Sequence, residues 1–207
     1  MFRERSIIRK TTVKAILNCA IAVCIVVGGR TVGFSQAPAK RDTFLAKTVN
    51  LSIGAGQDVK IDVFRWSTDD ERTRIVSALK EKSEAFVEAL EKAPSLGSIW
   101  TNENLGYSIR YAYRDSLANG SERVILLTNG RFGAWSGQIW KPLHPSEADY
   151  PFSLIELRFN RSGAGEGKMS LTTKVVADDA GKTLMLADYD AAPILLRPVK
   201  RESGPSK

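Results

Sequence analysis

The sequence predicts an α+β domain, in which a curled, mostly antiparallel β-sheet of about eight strands carries one long amphipathic helix. Three observations support this fold class. Apolar and polar residues alternate in several short segments, one segment has helical spacing instead, and short turns join the last strands, which favours antiparallel pairing. The pattern does not decide between an open, curled sheet and a nearly closed barrel.

The first elements are a hairpin and the helix. Residues 44–53 and 59–66 alternate on either side of a glycine-containing turn, so they are predicted to pair. Thr68 and Glu71 then have the spacing of a capping box, which predicts a helix over 69–92 that ends before Pro94. Its apolar face comprises Ile75, Val76, Leu79, Phe86, Val87 and Leu90, and its solvated face comprises Arg72, Lys80, Glu84, Glu88 and Glu91.

The alternating pattern returns after the helix. In 107–114, the residues Tyr107, Ile109, Tyr111 and Tyr113 are predicted to share one face of a strand. An Asn119-Gly120 turn leads to a returning strand over 123–128. Four short strands are then predicted over 152–160, 168–177, 183–188 and 194–199.

The stretch RSGAGEGKMS, residues 161–170, superficially resembles a phosphate-binding loop. Such a loop needs a first glycine where Ser162 stands and a hydroxyl residue where Met169 stands, and a helix should follow it. The residues that follow are β-branched and alternate. The stretch is therefore predicted to be a glycine-rich hairpin turn, in which glycine permits positive φ angles.

The amino-terminal segment is predicted to be a secretory signal peptide over 1–35. Five basic residues within 1–14 precede an uncharged apolar run over 15–29. The run is shorter than the roughly 20 residues that span a bilayer. Export to the periplasm or the exterior is therefore expected, and an uncleaved anchor in the inner membrane is the alternative. A disordered lead-in over 36–42, a single domain over 43–200 and a disordered tail over 201–207 complete the predicted organisation.

Removal of residues 1–35 changes the charge and the cysteine content. They hold six of the 30 Lys and Arg and one of the 23 Asp and Glu, so the remainder has 24 basic and 22 acidic residues. No nucleic-acid partner is therefore expected, because such a face needs clustered basic residues. Both cysteines, Cys19 and Cys24, also lie in this segment, so neither a disulfide nor a thiol nucleophile is expected.

Few enzymatic chemistries fit the remaining residues. The single histidine, His144, lies in no hydrolase motif, and a usual zinc site cannot be built from one histidine without cysteine. No metal site and no cofactor are expected. Glu156 is a candidate catalytic carboxylate for glycoside cleavage, which needs a second one at a suitable separation. The favoured interpretation is an ion pair with Arg158 on a partly solvated face of the sheet.

The segment 130–151 is the candidate ligand-binding loop. It is long, lacks clear periodicity and carries aromatic residues that suit sugars, peptides or apolar ligands. The alternative is a self-packed loop that caps one end of the sheet. The candidate ligand-binding residues are Phe132, Trp135, Trp140, His144 and Tyr150.

Several stretches together resemble a family of small exported bacterial proteins that has no assigned activity. They are YPFSLIELRFN (150–160), GAGEGKMSLTTKVV (163–176), LADYDAAPILLRPVK (186–200) and DVFRWSTDDERTRIVSALK (62–80). The resemblance covers most of the chain after the leader. It implies an envelope setting and supplies no catalytic residue, cofactor or substrate.

These observations favour an exported, non-enzymatic envelope protein that binds a small ligand, a glycan or a protein partner, with membrane contact only through an uncleaved leader. Two alternatives stay open. One is a carboxylate-dependent hydrolase of envelope or extracellular polymers, and the other is an assembly module that pairs sheet edges.

Overall fold

Ten strands and two helices make up the part of the chain that the computed structural model describes, namely residues 41–49, 51, 56–101, 106–133, 151–170, 175–178, 182–187 and 194–202. These residues belong to one unit of the chain, Ala37–Lys207. The elements are β1 (Asp42–Thr48), β2 (Asp58–Val63), α1 (Asp69–Glu81), α2 (Ser83–Lys92), β3 (Gly97–Trp100), β4 (Tyr107–Ser116), β5 (Glu122–Thr128), β6 (Leu154–Phe159), β7 (Gly165–Ser170), β8 (Val175–Ala177), β9 (Leu184–Leu186) and β10 (Ile194–Glu202).

Eight of these strands form a closed antiparallel barrel in the order β1-β10-β7-β6-β5-β4-β3-β2. The predicted antiparallel sheet is thus confirmed, and the sheet closes because β1 pairs with both β2 and β10. The hairpins β1–β2, β4–β5 and β6–β7 are confirmed as well. The turn of the β6–β7 hairpin lies in the glycine-rich stretch. Gly163 there has a φ of +79°, and an added Cβ would meet no atom within 4 Å.

The predicted single helix over 69–92 is instead two short helices. Lys82 has an extended backbone, with φ −159° and ψ 156°, and separates α1 from α2. A continuous helix of this span would be about 36 Å long. The strands β5 and β6 have only seven and six residues. We attribute the break to this mismatch, because it lets Phe86 and Leu90 join the same apolar cluster as Ile75 and Val76.

A β-bulge in β4 interrupts the alternation that the sequence predicted. The register with β5 shifts between Ile109 and Tyr111, which places an extra residue in β4. Tyr107, Ile109 and Ala112 therefore face the barrel interior, whereas Tyr111 packs outside it. The four residues predicted on one face are divided between two faces, and this division gives the outer wall of β4 its own apolar surface.

The barrel has an apolar cluster on each side of this wall. The interior core fills the barrel and includes Phe44, Ile61, Leu126 and Leu157. The outer core joins the two helices and the β8–β9 sheet to the wall formed by β4, β5 and β6. The predicted strand over 168–177 is accordingly two strands, because β7 pairs in the barrel and β8 pairs with β9. The strand β3 was not predicted.

The start of α1 is fixed by the predicted capping box, which the structure confirms. The Glu71 backbone N–H donates to Thr68 Oγ1, and the Glu71 carboxylate accepts from the Thr68 N–H at 2.9 Å and from both terminal nitrogens of Arg65 at 2.8 Å. The Arg65 guanidinium, opposed in part by burial, lowers the pKa of Glu71 from 4.5 to about 2. This carboxylate therefore stabilises the folded state only while it is ionised.

We expect Glu71→Gln to lower the free energy of unfolding at pH 7 by about 1 kcal/mol, since the exposed Arg65 is screened by solvent. Because the folded pKa is depressed, this difference from the wild type is complete above pH 4.5 and disappears as the pH falls towards about 2. Urea denaturation of both chains across this range measures it. A difference that does not change with pH would show that ionisation of Glu71 is not its source.

Candidate binding groove beside the helices

The predicted ligand-binding residues fall largely outside the described part of the chain. Trp135, Trp140, His144 and Tyr150 lie there, so their proposed role stays a prediction. Phe132 is described and is fully buried in the interior core. Its ring meets that of Tyr107 edge to face, with the ring centres 4.6 Å apart. Phe132 therefore packs the barrel and offers no exposed aromatic surface.

Glu156 lies on the outer face of β6 and is fully buried. Arg158 donates to Glu156 Oε1 from Nε at 2.9 Å and from Nη2 at 2.7 Å. The predicted ion pair is therefore present, but the carboxylate is enclosed instead of partly solvated. Oε2 has no hydrogen-bond partner among the described residues. A carboxylate in this position cannot contact a polymeric substrate without a rearrangement of the fold.

The barrel interior is occupied by side chains. Phe44 and Phe159 have ring centres 5.6 Å apart, and an added Cβ at Gly165 would lie 2.5 Å from the Phe159 ring. An eight-stranded barrel has an interior that side chains can just fill. A ligand would therefore have to bind on the outside of the barrel.

A groove of about 890 Å³ runs beside α2 on the outer side of the outer core. Its volume lies within the range of pockets that bind small molecules. The floor includes Phe86 and Phe152, whose ring centres are 5.2 Å apart, together with Val175. These three residues are buried, whereas Leu79, Val87 and Val176 are only half-buried and present apolar surface to the groove.

Charged side chains line the rim of the groove. Glu84, Glu88 and Glu91 follow one another at helical spacing along α2, so they lie on one side of that helix. Lys80 is the basic residue among the lining residues. Lys92 pairs with Glu88 and lowers the pKa of that carboxyl group. Within the described part of the chain, Glu84 and Glu91 form no ion pair, so the rim has an excess of negative charge.

The described residues contain no group of three or more His, Cys, Asp or Glu side chains placed to hold a metal ion. Among these same residues, no helix has the length and hydropathy needed to cross a membrane.

Comparisons of this chain with protein-family models, with curated proteins and with solved structures gave no match.

Sequence reasoning did not find the groove, because its lining comes from three separated segments. They are the helix pair, the residues Pro151 and Phe152, and β8. One signal was present in the sequence. The glutamates at 84, 88 and 91 repeat at intervals of four and three residues beside the apolar Phe86 and Val87. A solvated face and the rim of a groove give the same pattern.

Proposed function

We propose that this chain is an exported, non-enzymatic protein of the bacterial envelope that binds a partner in the groove beside α2. The observation that carries the proposal is the groove itself, a volume of about 890 Å³ with an apolar floor and an acidic rim. The leader pattern supports the envelope setting. The binding role is supported by apolar surface that the described residues leave uncovered at Leu79, Val87 and Val176.

The two alternatives have less support. A hydrolase acting through Glu156 would need an accessible carboxylate, and this one is fully buried against Arg158. Assembly through sheet edges would need unpaired strands, and each barrel strand already has two neighbours. Only the short strands β8 and β9 have a free side within the described sheets.

The occupant that fits the groove is a basic amphipathic segment of a partner protein. Apolar side chains on one face of such a segment would cover Val87 and Val176, and its Lys or Arg residues would lie over Glu84 and Glu91. Helix-in-groove recognition uses this combination of an apolar face and complementary charge. The same glutamates would repel an acidic occupant.

We expect the purified chain to bind a fluorescent helical Leu/Lys peptide of about 14 residues, roughly 21 Å long. The double variant Glu84→Lys/Glu91→Lys should bind at least about tenfold more weakly, because its rim charges repel the peptide. Fluorescence anisotropy at two salt concentrations measures both affinities. The peptide in which Glu replaces every Lys should not bind.

The matched control is Asp58→Lys/Glu202→Lys, which makes the same charge change at two exposed positions on β2 and β10, away from the groove. Its affinity should stay within about threefold of the wild type, since distant exposed charges are screened. Equal weakening in both double variants would mean that net charge alone attracts the peptide. Failure of the wild-type chain to bind would contradict the proposed function.

A further inference from the structure

We propose a second binding site, on the outer surface of β1, β2 and β3, that takes an anionic saccharide on a platform formed by Trp100. This wall lies across the barrel from β5 and β6, and none of its residues lines the groove. The inference is therefore independent of the occupant of the groove.

Trp100 is held in a fixed orientation although much of it is exposed. Its indole N–H donates to Ser98 Oγ at 3.0 Å. The ring also lies against Gly106, where an added Cβ would come within 3.2 Å of three ring atoms. Even so, 42% of the residue surface remains exposed, the second-largest fraction among the exposed large apolar residues described. One part of the ring is thus packed while another part stays open to solvent.

Basic residues continue the row that Trp100 begins. Lys60 on β2 is its register partner, Leu45 on β1 is the register partner of Lys60, and Lys200 on β10 is the register partner of Leu45. All four residues are exposed. Strands lie about 4.8 Å apart, so the row is about 14 Å long. It presents an aromatic ring at one end and two ammonium groups along its length.

A polar row lies next to this one. Asp62 on β2 is in register with Ser98 and accepts a hydrogen bond from Thr43 Oγ1 at 2.8 Å. Lys60 Nζ forms an ion pair with Asp62 Oδ2 at 3.6 Å, a distance that is too long for a good hydrogen bond. The N–H groups of Lys60 can therefore still donate to another anion, and the remaining lone pairs of the Asp62 carboxylate can accept from hydroxyl groups.

Sugars combine the features that this surface complements. The C–H face of a pyranose is apolar and stacks on an indole, while its hydroxyls form hydrogen bonds to groups beside the ring. A carboxylate or phosphate on the sugar would be placed near Lys60, directly across the ladder from Trp100. The contact of the ring with Gly106, just before β4, fixes its position on this surface.

The test uses the full chain, with polygalacturonate oligosaccharides as the anionic probe and uncharged galactan oligosaccharides as the neutral one. Isothermal titration calorimetry should show binding to the anionic probe and at least about tenfold weaker binding in Trp100→Ala, because the stacking surface is lost. Lys60→Gln should weaken binding about fivefold, as expected for one exposed charge pair. Trp100→Phe keeps an aromatic ring and should retain part of the affinity. This variant therefore tests the site even if Trp100→Ala does not fold.

The matched controls are Leu117→Ala, a residue 41% exposed just beyond the end of β4, and Lys182→Gln, an exposed residue preceding β9. Both should bind as the wild type does. Wild-type affinity in Trp100→Ala, or no binding of polygalacturonate by the wild type, would overturn the site. Equal affinity for the neutral galactan would overturn the assignment of this site to an anionic sugar. Equal effects of Lys60→Gln and Lys182→Gln would show that the overall charge of the protein, and not this site, attracts the sugar.

Discussion

Gly97→Ala is expected to destabilise the barrel by about 3 kcal/mol or more, because its added Cβ would make a shorter contact than one at Gly165 or Gly167. Gly97 is buried in β3, and an added Cβ would lie 2.2 Å from the Asp62 carbonyl oxygen and 3.1 Å from the Val63 Cα. Both atoms belong to the backbone of β2, the hydrogen-bonded neighbour. The strands would have to separate, so urea denaturation should show a much lower midpoint.

Gly130→Ala is the control for this prediction. A Cβ at Gly130 meets its nearest neighbour, a ring atom of Tyr107, at 3.6 Å, which is ordinary van der Waals contact. The expected change in the free energy of unfolding is below about 1 kcal/mol. Comparable losses in the two variants would contradict the close approach of β2 and β3 at Gly97.

Arg158→Ala is expected to lower the free energy of unfolding by about 3 kcal/mol, because it leaves the buried Glu156 carboxylate without its guanidinium partner. The side chain of Glu156 is 1% exposed, whereas that of Arg158 is 44% exposed. The expected loss is at the lower end of the range for a broken buried ion pair. The reason is that Lys168 on β7 is in register with Glu156 and supplies a second positive charge near it. Glu156→Gln should cost only about 1 kcal/mol, since the amide oxygen can still accept from Arg158.

The double variant Arg158→Ala/Glu156→Gln tests the cause of that loss. It removes the buried charge together with its partner, so it should recover at least about 1.5 kcal/mol relative to Arg158→Ala. Chemical denaturation of the four chains completes a double-mutant cycle. Additive losses would mean that Arg158 stabilises the barrel through contacts other than the one with Glu156.

Local signals predicted the parts of the fold that depend on neighbouring residues. The Thr68–Glu71 capping box and the turns at Gly120 and Gly163 were found because the chemistry of a cap or a turn is confined to a few positions. The bulge after Ile109 could not be found in this way. Alternation continues through it in the sequence, and only the barrel wall determines that Tyr107 faces inwards and Tyr111 outwards.

The binding surfaces were harder to predict than the strands. The groove brings α2 against Phe152 and β8, residues that are far apart in the chain, and the helix break at Lys82 that accompanies this arrangement depends on tertiary packing. Trp100 was missed because β3 has only four residues, too few for a period of two to be recognised. The aromatic loop that sequence reasoning favoured contributes Phe132 to the core, and its other candidate residues lie outside the described part of the chain.

The most direct test of the proposed binding role is methyl NMR of the full chain during titration with the Leu/Lys peptide. The groove account predicts that methyl resonances of Leu79, Val87, Val175 and Val176 shift progressively, while that of Leu126 in the barrel interior does not. The indole N–H resonance of Trp100 should also stay unchanged. Shifts confined to other surfaces, or none at a peptide concentration that saturates anisotropy, would contradict binding in the groove.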